Sequence, residues 1–128
     1  MSGKYDAARE GFGAGELSWT GDPIVAQLVS AEYAYDGSHR DTRRLKGEVG
    51  DAVELTGKSI EAGYAKADKL VFRQVSGQTP VAIVFHRQAA AKADATLIFF
   101  SDNVLHFPMP PNGGDIEVEV PPRGIFRV

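Results

Sequence analysis

Turn residues punctuate this chain so often that no long helix or long strand fits between them. The segment from Pro110 to Val128 shows the pattern at its clearest. Pro110–Asp115 is a turn cluster, in which proline fixes φ near −65° and Asn and Gly tolerate positive φ. Ile116, Val118 and Val120 then alternate with Glu117 and Glu119, the period-2 signature of a half-buried strand. Pro121 and Pro122 halt the ladder because neither can donate a hydrogen bond. Arg123-Gly124 turns the chain into a last apolar run, Ile125–Val128.

The same grammar recurs upstream. Strands are expected at Ile24–Ser30, Ala52–Leu55, Lys69–Val75, Val81–Arg87, Thr96–Ser101 and Glu117–Val120. Ser59–Ala67 is ambiguous between strand and short helix. Lys4–Phe12 is the one convincing helix, with Tyr5, Ala8 and Phe12 on one face and glycines at 11, 13 and 15 ending it. Ala31–Lys46 reads as a long surface loop ordered in part by a partner, and Gln88–Ala95 as a connection. About seven or eight short strands at ~8–12-residue spacing predict an all-β, antiparallel β-sandwich, jelly-roll-like, with a short N-terminal helix or arm. The expected division is an arm over residues 1–20 and a β-sandwich domain over 21–128.

With 128 residues, 43% hydrophobic and 24% charged, the chain is long enough to bury a core of its own. A net charge of −3 gives no basic field for nucleic acid, and no nucleic-acid partner is expected. The absence of cysteine removes disulfides, thiolate nucleophiles and Cys-based zinc sites. The first ten residues carry no apolar signal core, and runs such as Val81–Phe85 are far below the ~18 residues of a membrane span, so no membrane partner is expected.

Catalytic, cofactor and metal constellations are absent from the pattern. His39, His86 and His106 have no second ligand at a helical spacing. Gly11-Phe-Gly13-Ala-Gly15 follows a helix, whereas a phosphate-cradling loop precedes one. Ser59, Ser76 and Ser101 lack the Gly-x-Ser-x-Gly elbow. Glu117 and Glu119 form the solvated side of a strand. Hence no catalytic residue, cofactor or metal is expected. Aromatic residues near turns finish a core more often than they meet a partner, yet Tyr and Trp also anchor interfaces.

Lys4–Phe12 (Lys-Tyr-Asp-x-Ala-Arg-Glu-x-Phe) and Gly15–Trp19 (Gly-Glu-Leu-Ser-Trp) resemble the opening of small structural proteins encoded beside tailed-bacteriophage capsid genes. Leu55-Thr-Gly-Lys58, Val81–Phe85, Pro111–Val118 and Ile125-Phe126 are similar to the same group, and together these segments span most of the chain. The resemblance implies a virion protein on the outer capsid surface, made in the host cytoplasm: a capsid cement, or decoration, protein that bridges major capsid subunits, itself a dimer or trimer. A neck or tail connector and a virion-surface carbohydrate-binding module are the alternatives. Tyr5, Arg9, Phe12, Trp19, Tyr33 and Tyr35 are the expected interface residues. The chain departs from the group's pattern at Gln88–Ala95 and Asp102–Met109.

Overall fold

The computed structural model describes residues 2–104 and 107–128. Among them are ten strands and one α-helix: β1 (Gly3–Lys4), α1 (Asp6–Gly13), β2 (Ile24–Val29), β3 (Glu48–Glu54), β4 (Ser59–Glu61), β5 (Tyr64–Lys66), β6 (Leu70–Phe72), β7 (Ala82–Arg87), β8 (Leu97–Ser101), β9 (Ile116–Val118) and β10 (Phe126–Arg127). Short 3-10 turns occupy Thr42–Arg44 and Lys92–Asp94. The protein is all-β with a short N-terminal helix. Every strand pairing is antiparallel.

A five-stranded sheet in the order β1-β8-β7-β2-β3 forms the base. Its inner strand β2 is buried along its whole length, as a strand covered on both faces must be. Alternate residues sort to the two faces. Ile24, Ala26, Leu28, Ile83, Phe85 and Phe99 join Leu70, Phe72, Ile116, Ala65 and Phe126 in the main core, beneath the β6-β9 ladder and the β10-β5-β4 sheet. Val29, Ala82, Val84, Leu97 and Phe100 point the other way and gather with Tyr5, Tyr33 and Leu45. At β8 the register with β7 slips between Phe85 and His86, and Ile98 joins Phe99 on the main-core side.

Gln27 is the one polar side chain inside β2. Its amide donates to the carbonyls of Leu28, Val49 and Gly50 at 3.1–3.2 Å. The β2-β3 register shifts there because β3 carries extra residues around Gly50. Gln27 thus satisfies carbonyls that the bulge removes from the ladder.

Helix α1 begins two residues after the expected start, since Gly3 and Lys4 pair with Phe100 and Phe99 instead. Asp6 in its first turn complements the helix dipole. The ambiguous segment is the β4-β5 hairpin, closed by Ala62 and Gly63 at φ 52° and 82°, the left-handed pair of a two-residue hairpin loop. At Gly124 (φ 126°) a Cβ would stand 2.8 Å from the Ala65 carbonyl oxygen, so only glycine lets β10 approach β5.

Residues 31–46, expected to be a surface loop ordered in part by a partner, are held by the chain's own sheet. Tyr33 and Leu45 are buried and Tyr35 stacks on Phe100 at 4.9 Å. The Leu97 N–H donates to the Arg40 carbonyl, and Asp41 bridges to Thr96. The physical reason is long-range: the loop covers the sheet face that would otherwise expose Val29, Val84 and Phe100.

Candidate protein-docking surface

Five of the six residues expected at an interface fall into two groups, and Arg9 stands apart on the surface. Tyr5, Tyr33 and Tyr35 lie with Phe100 on one side of the sheet. The Tyr5 and Tyr33 hydroxyls are 2.7 Å apart, Tyr33 reaches His39 Nδ1 at 3.0 Å, and the Tyr35 hydroxyl donates to the Lys4 carbonyl. Burial pushes the Tyr5 hydroxyl pKa well up, aided by Tyr33, and burial raises those of Tyr33 and Tyr35 too, so all three stay neutral. Phe12 and Trp19 lie in the main core, where Phe126 meets Trp19 edge-on at 5.3 Å and Phe12 at 6.5 Å. Trp19 Nε1 donates to the Lys66 carbonyl. Tyr5, Trp19 and Tyr33 are no more than 6% exposed, so their surface is committed to the protein's own interior. Arg9 is exposed, while Phe12 and Tyr35 are half-buried, and these three keep surface to offer a partner.

Residues 3–19 are built into both cores: β1 extends the sheet, Tyr5 enters one cluster, and Ala8, Leu17 and Trp19 enter the other.

A groove of about 520 Å³ opens between α1, the Thr42–Arg44 turn and the end of β7. Glu10 on α1, Glu16, Asp41, Arg40, Arg43 and Arg87 are its charged walls. Arg40 is bidentate on Glu10 (2.8 and 3.3 Å), and Arg43 is bidentate on Asp41 (both 2.9 Å). Arg87 donates to the carbonyls of Glu16 and Asp94 and to Thr96 Oγ1, with Asp22 at 3.9 Å. Hydrogen bonding to its arginine holds each carboxyl, Glu10 and Asp41, below its ordinary pKa. Both pairs therefore stay ionised near neutrality and do not trade protons. What the groove offers is fixed, alternating charge in rigid forks, a form suited to recognising charged groups on another protein surface.

In the sequence Arg40, Arg43, Arg44 and Lys46 form only a short, interrupted positive run. Arg87, over forty residues away, had no local signal linking it to them. The glycines at 11, 13 and 15 lie at the C-terminal end of α1, where carbonyls rather than N–H groups project, so they cannot cradle a phosphate. His86 is half-buried on β7 with Nδ1 beside the Arg87 carbonyl, and burial lowers its pKa. His106 lies outside the described residues. Among the described residues no three His, Asp or Glu side chains gather to hold a metal ion, and no helix is long and apolar enough to cross a membrane.

Of the segments that carry the phage resemblance, Trp19, Leu55, Phe85, Ile116 and Phe126 belong to the main core with Phe12 packed against it, Tyr5, Ala82 and Val84 belong to the second cluster, and Glu10, Gly11, Glu16 and Leu17 line the groove. Segment 88–95, where the chain departs from that pattern, borders the groove: Ala93 lines it, the Asp94 carbonyl receives Arg87, and the Lys92 carbonyl receives Thr42 Oγ1. No protein-family model matches this chain, and no curated protein matches it significantly.

Proposed function

We propose that this protein is a capsid cement, or decoration, protein of a tailed bacteriophage. It would bind the outer capsid surface and bridge neighbouring major capsid subunits. The observation that carries the reading is a filled β-core beside an ionised surface groove. The resemblance-bearing motifs supply much of that core, and the groove is walled by α1 together with segment 88–95, which is particular to this chain. A cement protein needs that division: a stiff β-unit that is complete by itself, and an outer face tuned to one shell. In this reading the two smaller sheets serve as the second layer of the expected sandwich. Repeated attachment at many equivalent positions turns a modest single-site affinity into strong retention.

The test is binding of purified protein to assembled, expanded shells and to free shell subunits. A bridging site is made by more than one subunit, so shells should bind far more tightly. Equal affinity for both overturns the reading. Electron microscopy of the labelled particle separates the alternatives: signal over the whole shell supports cement, whereas a single ring at one vertex marks a neck or tail connector. Binding to a glycan array without shell binding marks a carbohydrate-binding module.

A further inference from the structure

We infer that β4 is a docking edge for a second copy of this chain, the two β4 strands pairing antiparallel about a two-fold axis at Ile60. The phase of the backbone hydrogen bonds leads there. On β5, the carbonyls of Gly63 and Ala65 accept from Val128 and Ile125 (both 2.7 Å), so these residues face β10. Their neighbours Tyr64 and Lys66 therefore face β4, and pair with Glu61 and Ser59. Ile60, opposite Ala65, must direct its own N–H and C=O away from the hairpin, out of the open edge.

The side chain of Ile60 agrees with its backbone. Phe126, Ala65 and Ile60 are cross-strand partners on one face of the β10-β5-β4 sheet. Phe126 and Ala65 are buried, but Ile60 is 44% exposed. The apolar row thus reaches the edge of the sheet before it ends.

Both edges of the five-stranded sheet are guarded. β3 carries Glu48, Asp51 and Glu54 and bulges at Gly50, and the two-residue β1 is bonded by the Tyr35 hydroxyl. β4 carries one charge, Glu61, already paired with Lys66 at 3.2 Å. Two-fold pairing sets Ile60 against Ile60 of the second copy, Glu61 against its Ser59, and Lys58 against its Ala62. No like charges oppose, and the register is its own complement. Such a short contact buries less than the ~1,200 Å² of stable interfaces, so it forms reversibly and tightens where copies are held side by side. The inference deepens the symmetric assembly expected of a cement protein and rests on that reading for its setting. The contact itself is measurable without any shell.

The chain has no cysteine, which makes Ile60→Cys a clean probe. Directly opposed residues of a hydrogen-bonded antiparallel pair have Cα atoms ~5.5 Å apart, within disulfide range. Under mild oxidation the Ile60→Cys protein should cross-link about tenfold faster or more than an Ala91→Cys control, as pairing raises the local thiol concentration. Equal rates overturn the proposal. Ile60→Pro removes the outward N–H while leaving the hairpin's own ladder intact. In sedimentation the wild-type mass should rise with concentration from 13.8 kDa towards twice that value, while Ile60→Pro with an unchanged melting point stays monomeric. A wild type that stays monomeric, or a dimer that this substitution leaves intact, also overturns it. Shell binding plays no part in either measurement, so failure of the cement reading and failure of the edge contact are separate results.

Discussion

Replacing Tyr5 by alanine tests whether the N-terminal segment belongs to the protein's own core. Tyr5 is fully buried, its ring stands 5.2 Å from Tyr35 in an edge-on contact, and its hydroxyl is 2.7 Å from that of Tyr33. Truncating a large aromatic in a packed site costs about 3–5 kcal/mol. Tyr33 keeps His39 as a partner at 3.0 Å, so no orphaned hydroxyl adds to that cost. Against a total stability of about 5–15 kcal/mol, the loss is a large share. For a chain of this length each kcal/mol shifts the melting point by roughly 3–5 °C, so a fall of about 10–20 °C is expected in circular-dichroism melts. Tyr5→Phe removes the hydroxyl alone and should cost about 1 kcal/mol, a shift of only a few degrees, which keeps the test informative if the alanine variant fails to fold. An alanine variant melting within about 3 °C of wild type would refute the packing, for no fully buried aromatic is that cheap to remove.

Gln27→Leu should destabilise by about 1–3 kcal/mol in urea unfolding, because the bulge carbonyls of Val49 and Gly50 lose their donor. His86 gives a pH dependence. Its folded pKa is lowered from 6.5 by burial, so its contribution is complete above that pH and is lost as pH falls towards the folded value. Between about pH 7 and pH 5 the melting point of wild type should fall more than that of His86→Gln; equal slopes would refute the assignment. Glu10→Gln breaks an exposed ion pair and should leave the melting point almost unchanged. Reversing charge at Arg40 and Arg43 together should weaken shell binding while the far-UV spectrum stays that of the wild type; unaltered binding would remove the groove from the docking surface.

The parts of the fold legible in the sequence were those with local periodicity. Ile24–Ser30, Val81–Arg87 and Thr96–Ser101 all contain real strands, because a buried strand must be apolar along its own length. Where pairing rather than patterning makes the strand, the signal fades. β1 has two residues and therefore no period. The front half of β3 buries only Val49 and is interrupted at Gly50, so only Ala52–Leu55 stands out. In the β4-β5 hairpin an alanine occupies the first left-handed position, where Asn or Asp would have announced the turn. The order of the loop 31–46 is not legible locally, because it comes from Phe100 and Leu97, some sixty residues downstream. The groove was invisible for the same reason: its guanidiniums belong to separate segments that only the sheet brings together.

That contrast bears on what resemblance can carry. Motifs such as Gly15–Trp19 and Ile125-Phe126 are recognisable because the fold requires them: Trp19, Phe99 and Phe126 must meet, and few other side chains fill that space. Residues packed this way report on architecture and say little about what the surface touches. Surface charge is under no such packing constraint, so Arg40, Arg43 and segment 88–95 are free to suit a particular partner. A swap of residues 88–95 between this chain and a protein sharing its core motifs should therefore leave the fold standing while transferring shell preference. A swap confined to core positions should change stability and leave that preference where it was.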